Sequence, residues 1–271
     1  FIGGKYVKTF EQEFAKAYGV KQCISCANGT DAIYIIMKML GIGPGDEVIT
    51  SACSWISTSE TISQTGARPV FEEDYYTINP RLIEEKITPR TKAIIPVHLY
   101  GQIADIEQIE AICKKHNLFL IEDCAQSHFT QLKGRNAGTF GIASTFSFYP
   151  GKNLGAYGDA GAILTNDDQL AEKCRMYANH GALVKHQHRI EGINSRLDGL
   201  QAAILSAKLP HIQDWTEQRI ANANAYNRLL ADCKEVRIPV VRESTRHSFH
   251  LYVIRTEKRD ELAAWLKSKD I

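Results

Sequence analysis

The chain has 271 residues, which is enough for one large domain, or for one domain and part of a second. Its hydrophobic content of 44% and charged content of 23% are ordinary for a globular protein, and no apolar run is as long as a membrane span. A formal net charge of +1 gives no electrostatic reason to expect nucleic acid or a membrane surface as partner. Seven scattered cysteines, an odd number, predict reduced thiols and a cytoplasmic protein.

The first half of the sequence alternates short strands with helices. Hydrophobic periodicity predicts helices at residues 8–18, 32–40 and 106–116, a loop that leads into a helix at 54–62, and a turn and helix at 77–87. Strands are predicted at 22–26, 47–50, 69–71, 92–97 and 118–121. Because this alternation is typical of α/β proteins, we predict a parallel or mixed sheet covered by helices. Ligands of such sheets bind at the carboxyl ends of the strands.

Polar or aromatic residues follow the ends of several predicted strands, namely Thr30, Trp55, His98, Asp123 and Lys152. Their shared placement predicts one binding site. For three of these residues, the local sequence also allows a second interpretation. Thr30 would start a helix either as a plain N-cap or as part of an anion site, and Trp55 would lie in the core or flat on an aromatic ligand. Asp123 would either cap the next helix or hold a protonated ring nitrogen of a cofactor.

Lys152 lies between a strand-forming run, Thr145 to Tyr149, and a glycine-rich turn that starts at Pro150-Gly151. Glycines allow the backbone to pass close to a ligand. A lysine that is partly desolvated there has a lowered pKa, and its neutral amine is a nucleophile toward an aldehyde. The alternative is an ordinary solvated loop lysine.

The second half of the sequence is predicted to form a strand at residues 162–165, helices at 166–177, 199–208, 214–230 and 259–269, and short strands at 237–241 and 250–255. This change of pattern predicts two domains, residues 1–215 and a smaller α+β domain at 216–271. Residues 179–189 form a basic, histidine-rich loop. Its irregular spacing and lack of carboxylates argue against a metal, and the Cys23-Ile-Ser-Cys26 pair is interpreted as packed thiols, so no metal site is predicted.

These residues form a set of motifs in a fixed order: Asn28-Gly-Thr-Asp-Ala32, Trp55, Glu122-Asp-Cys-Ala-Gln126, Ser147-Phe-Tyr-Pro-Gly-Lys-Asn-Leu-Gly-Ala156 and Asn194-Ser-Arg-Leu-Asp198. In order and spacing they resemble the DegT/DnrJ/EryC1/StrS family of sugar aminotransferases, which use pyridoxal phosphate (PLP). The resemblance covers essentially the whole chain. It implies the aspartate-aminotransferase fold (fold type I), with a mixed, mostly parallel sheet in a large PLP-binding domain and a smaller C-terminal domain.

The resemblance also implies a role for each matching residue. Lys152 would form the Schiff base with PLP and shuttle the proton between the amino donor and the cofactor. Asp123 would pair with the pyridinium nitrogen. The other implied cofactor contacts are Gly29, Thr30 and Ser147 at the phosphate, Trp55 stacked on the ring, and Gln126 at the phenolic oxygen.

Asn194 would contact the phosphate of the neighbouring subunit's cofactor, so the resemblance implies a homodimer with active sites at the interface. From their charge and position, we expect a nucleotide-sugar diphosphate to be contacted by His180, Lys185, His186 and His188. The segment from Phe71 to Tyr75 is a few residues shorter than is usual in the family. Family chains begin before Phe1 and continue past Ile271, so the small domain is expected to be incomplete in this sequence.

The expected activity is transfer of an amino group, with glutamate as the implied donor, to a keto group at C3 of a nucleotide-linked deoxy sugar. Such a step belongs to deoxyamino sugar, lipopolysaccharide or other glycan biosynthesis. A PLP-dependent sugar dehydratase is one alternative, but those enzymes replace the lysine by histidine, so Lys152 argues against it. A non-catalytic regulatory scaffold is the other, and Lys152 and Asp123 argue against that.

Overall fold

The structure is a computed structural model, and it describes residues 2–72 and 76–271. The segment whose length differs from the family pattern, residues 71–75, lies partly outside the described residues. Within them the helices are α1 (Lys5–Tyr18), α2 (Gly29–Met39), α3 (Ser57–Gln64), α4 (Pro80–Ile83), α5 (Ile106–His116), α6 (Asp168–Tyr177), α7 (Gly199–Lys208), α8 (Ile212–Leu229) and α9 (Arg259–Lys267). None of these helices has both the length and the apolar character needed to cross a membrane.

Local chemistry explains where the helices begin and end. In α1, Phe10, Phe14 and Tyr18 recur at helical spacing and are all buried, and the helix ends at Gly19 in the left-handed conformation (φ 71°). Helix α6 begins after Asp167, whose carboxylate accepts hydrogen bonds from the backbone N–H groups of Gln169 and Leu170. The helices predicted from periodicity are therefore present, with ends displaced by a few residues.

The strands are β1 (Gln22–Cys26), β2 (Glu47–Ser51), β3 (Arg68–Glu72), β4 (Thr91–Ile95), β5 (Phe119–Asp123), β6 (Gln131–Leu132), β7 (Arg135–Asn136), β8 (Ala143–Ser147), β9 (Gly161–Thr165), β10 (Ala182–Val184), β11 (Gln187–His188) and β12 (Thr245–Arg246). Seven of them form the central sheet, in the order β1-β9-β8-β5-β4-β2-β3. Strand β9 is antiparallel to β1 and β8, and the other neighbouring pairs are parallel. The predicted mixed, mostly parallel sheet is confirmed.

Strand β9 brings the ends of β1 and β8 to the same edge of the sheet. Gly161, its first residue, lies opposite Cys26 on one side and Ser147 on the other. A Cβ atom on Gly161 would lie 2.3 Å from the carbonyl carbon of Asn28. Only glycine therefore allows the turn between β1 and α2 to pass over this strand, and that turn carries the first residues of the site.

Alternate residues of the strands point into two hydrophobic cores, one on each face of the sheet. One core is rich in aromatic rings: Phe14 of α1 packs edge-on against Phe146 and Phe148 at centroid distances of 5.2 Å. The other core lies between the sheet and α2. Cys23 and Cys26 are both buried, one in each core, as expected for packed thiols.

Some predicted elements differ from the structure. The sequence predicts strands at residues 237–241 and 250–255, but among the described residues the strand pairing of these segments is a single bridge between Arg237 and Arg255. The predicted loop at 179–189 contains the short β10–β11 hairpin. The predicted domain boundary at residues 215/216 falls inside α8, and the division into two domains stays a prediction.

Candidate active site

A cavity of about 500 Å³ opens at the edge of the sheet where β1, β2, β5 and β8 end. Its lining includes most of the residues that the sequence placed in one site: Gly29, Thr30, Trp55, Asp123, Gln126, Ser147 and Lys152. The structure thus brings together side chains from segments that lie far apart in the sequence. The cavity lies at the carboxyl ends of parallel strands, which is where α/β proteins bind their ligands.

Asp123 is the last residue of β5, and only 4% of its surface is exposed. Its Oδ2 accepts a hydrogen bond from Thr58 Oγ1 at 2.9 Å, and its Oδ1 accepts one from the backbone N–H of Ala125 at 3.1 Å. No helix follows it at residues 124–130, so the interpretation as a helix cap is wrong. A carboxylate oxygen accepts more than one hydrogen bond, so Asp123 retains acceptor capacity toward the cavity that it lines.

Lys152 follows a tight turn in which its backbone N–H donates to the carbonyl of Tyr149 at 2.8 Å. Burial lowers the pKa of the Lys152 amine, and the opposing effect of the nearby Asp123 carboxylate is smaller. Within the described parts of the chain, the amine makes no hydrogen bond or ion pair. A partly buried, partnerless amine in a cavity fits a reactive lysine better than a solvated loop lysine.

The start of α2 faces the same cavity. Asn28, and not Thr30, is the N-cap: its Oδ1 accepts a hydrogen bond from the N–H of Asp31 at 2.8 Å. This leaves the Thr30 hydroxyl free to bond with Ser57 Oγ at 2.7 Å. A Cβ atom on Gly29 would lie 2.7 Å from Cβ of Ser147, so glycine allows the helix to begin directly against β8. Backbone N–H groups of a first helical turn beside hydroxyls form an anion site.

Two further predicted residues line the mouth of the cavity. Trp55 is 71% exposed, so the alternative that it belongs to the core is wrong. Gln126 is oriented by the backbone N–H of Tyr100, which donates to its Oε1 at 2.8 Å. Both side chains are therefore available to a planar ligand above Asp123.

His98, which also follows a strand end, does not line the cavity. It is completely buried, and its ring Nε2 lies 3.0 Å from an oxygen of the equally buried Glu122. The Glu122 carboxylate also accepts hydrogen bonds from the backbone N–H groups of Gly138, Phe140 and Gly141. This pair fixes the loops behind Asp123 and takes no direct part in the cavity.

The residues assigned to a neighbouring subunit or to the sugar nucleotide lie outside the cavity of one chain: Asn194, His180, Lys185, His186 and His188. Asn194 forms a bridge with Asn179, and the next residue, Ser195, donates its hydroxyl to Asp31 at 2.6 Å. The basic side chains are exposed on and beside the β10–β11 hairpin, where His188 Nδ1 lies 2.7 Å from the carbonyl of His180. Their roles stay predictions.

Residues of the site that sequence reasoning missed include Ser57, Thr58 and His250. Ser57 and Thr58 are part of a run of small hydroxyl residues that carries no clear functional signal. His250 lines the cavity, and its Nδ1 lies 3.0 Å from Oδ1 of Asn153, which is 97 residues away. A histidine inside the apolar stretch from Phe249 to Val253 was the one available signal.

Comparison with known proteins identifies the family. A sequence model of the DegT/DnrJ/EryC1/StrS aminotransferase family matches residues 1–271. A pleiotropic regulatory protein of Geobacillus stearothermophilus is 50% identical over 276 residues, covering 100% of this chain and 74% of that protein. The dTDP-3-amino-3,6-dideoxy-alpha-D-galactopyranose transaminase of Aneurinibacillus thermoaerophilus is 46% identical over 276 residues, covering 100% and 75%.

Among solved structures, the X-ray crystal structure of S. venezuelae DesV in complex with a ketimine intermediate has a TM-score of 0.96 to this chain. The two share 42% sequence identity, and the match covers 99% of this chain and 73% of that one. Sequence and structure therefore agree. The chain belongs to the DegT/DnrJ/EryC1/StrS aminotransferase family.

Proposed function

We propose that this protein binds PLP and transfers an amino group from glutamate to the C3 keto group of a nucleotide-diphosphate-linked deoxy sugar. The observation that carries the proposal is the partly buried Lys152 amine in one cavity with the buried Asp123 carboxylate. Family membership supports the reaction class. The name of the transaminase from A. thermoaerophilus supports the sugar C3 position.

The cavity fits PLP in its chemistry. The cofactor carries an aldehyde, a ring nitrogen that binds a proton and a phosphate, and the cavity offers an amine, a carboxylate and an anion site at the start of α2. Lys152 would bind the aldehyde carbon, Asp123 the ring nitrogen, and Gly29, Thr30 and Ser147 the phosphate. Trp55 and Gln126 would contact the ring. When bound, PLP supplies an electron sink for the carbanion formed at the donor's α-carbon.

The protein's own groups then move the proton. The lowered pKa of Lys152 increases the fraction of free amine near neutral pH, which is the form that accepts a proton from the α-carbon of glutamate. The Lys152 ammonium formed in this way would then act as the acid and donate its proton on the cofactor side. The carboxylate of Asp123 stabilises positive charge in the cavity. Lys152 is thus the catalytic acid and base of the proposed reaction.

The proposal is tested by amino transfer in solution. The purified protein is incubated with PLP, glutamate and a dTDP-linked 3-keto-6-deoxy sugar, and we expect equal amounts of 2-oxoglutarate and of the 3-amino sugar by mass spectrometry. A 4-keto isomer serves as the matched control. A protein that binds PLP but forms no amino sugar from the 3-keto substrate, or that aminates only the 4-keto isomer, would contradict the proposal.

A regulatory role is the second candidate, since the relative of 50% identity is named a pleiotropic regulatory protein. The two candidates differ in one measurement. A protein that folds but takes up no PLP, with Lys152 open to chemical modification whether or not PLP is present, would favour the regulatory role. Protection of Lys152 by PLP favours the enzyme.

We also propose a homodimer in which Asn194 and the basic β10–β11 hairpin of one subunit complete the site of the other. Four basic side chains are exposed and do not line the cavity of their own chain, which supports this arrangement: His180, Lys185, His186 and His188. In such a dimer the hairpin would meet the diphosphate of the sugar nucleotide.

Mixed dimers test the shared site. Lys152→Ala and Asn194→Ala protomers, each weak alone, should recover about a quarter of wild-type activity after equimolar exchange, because half of the dimers are mixed and half of their sites are intact. The matched control mixes Lys152→Ala with Asp123→Asn, which lie in the same subunit's site and should show no recovery. Equal behaviour of the two mixtures would exclude the shared site.

A further inference from the structure

Tyr100 lies in a tight turn whose backbone is unusual for a residue that carries a side chain. The turn is closed by the N–H of Gln102, which donates to the carbonyl of Leu99 at 2.9 Å. The two residues between them have positive φ angles, 59° at Tyr100 and 99° at Gly101, as in a type I′ turn. Tyrosine rarely adopts this left-handed conformation, because its Cβ atom crowds the following carbonyl.

Hydrogen bonds hold this turn on both sides. The N–H of Tyr100 donates to Oε1 of Gln126 at 2.8 Å. The carbonyl of Tyr100 accepts from the N–H of Leu251 at 3.3 Å, and the carbonyl of Gly101 accepts from the hydroxyl of Thr130 at 2.8 Å. If residue 100 could not adopt a positive φ, the chain would rotate there, and either the N–H would leave Gln126 or the carbonyls would leave their donors. The left-handed conformation is therefore coupled to the position of Gln126.

The side chain of Tyr100 contributes to this arrangement. Its ring is half-buried and packs edge-on against the ring of Tyr76, with a centroid distance of 5.2 Å and an interplanar angle of 71°. This aromatic contact stabilises the turn and offsets part of its strain. The fold thus holds the Tyr100 N–H in place before any ligand binds.

The hydrogen bond from Tyr100 decides which end of the Gln126 amide is open to a ligand. A backbone N–H only donates, so the amide oxygen of Gln126 must face Tyr100. The amide nitrogen is left for the cavity, which Gln126 lines, and it makes no hydrogen bond to the residues that the structure describes. A ligand in the cavity therefore meets Gln126 as a hydrogen-bond donor.

We propose that Tyr100 is a positioning residue whose left-handed backbone fixes the amide of Gln126 as a donor toward an acceptor oxygen of the ligand. This inference rests on the proposed function, in which that oxygen is the phenolic oxygen of PLP, and it adds the residue that orients the contact. A donor that is oriented in advance stabilises the ionised form of this oxygen without having to be ordered on binding.

The first test needs no cofactor. In the full chain labelled with 15N-tyrosine, NMR measures the hydrogen exchange of the Tyr100 N–H. This exchange should be about tenfold slower in the wild type than in Gln126→Ala, which lacks the acceptor. Gln126→Glu keeps an acceptor and should keep the slow exchange. Equal exchange rates in the wild type and in Gln126→Ala would overturn the proposal.

The second test measures the affinity for 4′-deoxypyridoxine 5′-phosphate by calorimetry. This probe has the ring oxygen and the phosphate of PLP but no aldehyde, so it cannot react with Lys152. Gln126→Glu presents a carboxylate oxygen to the ring oxygen and should weaken binding by about tenfold or more, although exchange at Tyr100 stays slow. Tyr100→Val, whose β-branched side chain disfavours a positive φ, should also weaken binding several-fold. Tyr100→Asn tolerates a positive φ and should bind within about twofold of the wild type.

Lys133→Val is the matched control for backbone strain. Lys133 also has a positive φ, of 50°, and its N–H donates to the carbonyl of Ser244 at 2.8 Å, but it does not line the cavity. This variant should lose thermal stability, as Tyr100→Val does, and should keep the wild-type affinity for the probe. Equal affinities of Tyr100→Val and Tyr100→Asn would overturn the positioning role alone. A wild type that binds no probe would overturn the proposed cofactor as well, so the two failures are distinguishable.

Discussion

Replacement of Lys152 by alanine should reduce kcat for amino transfer by about 10³-fold or more, since the variant lacks both the nucleophile and the proton-transferring group. The fold should persist, because the amine makes no hydrogen bond to the described residues and its burial already disfavours the charged form. Turnover is measured by 2-oxoglutarate release, PLP uptake by visible absorbance, and folding by circular dichroism.

Lys133→Ala is the matched control for this experiment. Lys133 is an exposed lysine whose amine lies 2.8 Å from a carboxylate oxygen of Glu107, and it does not line the cavity. Exposed ion pairs contribute about 0–1 kcal/mol, so both activity and thermal stability should remain near wild type. Wild-type turnover by Lys152→Ala, with the control behaving as expected, would refute the assigned catalytic role.

Asp123→Asn should lower kcat by about 10²-fold to 10⁴-fold, because a neutral amide cannot stabilise a protonated ring nitrogen. The amide oxygen can still accept from the N–H of Ala125, and the amide nitrogen can donate to Thr58, whose hydroxyl can turn to donate to Ser54 Oγ at 2.9 Å. The fold should therefore remain. Because Asp123 raises the pKa of Lys152, the variant should also lower that pKa, measured in the cofactor-free chain.

Asp168→Asn is the corresponding control. Asp168 is exposed, and its carboxylate accepts a hydrogen bond from Gln22 at the opposite end of β1 from the cavity. Its replacement should change neither kcat nor the pKa of Lys152. If Asp123→Asn kept full activity while it bound PLP, the pairing of Asp123 with the ring nitrogen would have to be abandoned.

The sequence predicts the sheet and the positions of Asp123 and Lys152 because both depend on local sequence patterns. The apolar run that becomes β5 ends at Asp123, the glycine-rich turn after β8 presents Lys152, and parallel strands place such ends together. Family motifs then add Gln126 and Ser147, which have no conspicuous local pattern of their own.

The features that could not be predicted depend on distant contacts. Thr58 approaches Asp123 across 65 residues, and His250 meets Asn153 across 97 residues. Neither contact can be recognised from the hydrophobic periodicity of the sequence around these residues. The run at 237–241 has the composition of a strand, but a strand also needs a neighbour with free backbone groups. In the part of the chain that the structure describes, that neighbour is limited to the bridge from Arg237 to Arg255.

The position of β9 has a consequence for synthesis of the chain. Strand β1 lies at the edge of the sheet and pairs only with β9, whose residues 161–165 leave the ribosome long after residues 22–26. A nascent chain that ends before residue 161 lacks this partner strand, so the backbone groups of β1 that pair with β9 must bind water or a chaperone until β9 is synthesised. Since β9 also lies between β1 and β8, the start of α2 comes to lie beside Ser147 at the proposed phosphate site only when this antiparallel strand has been inserted.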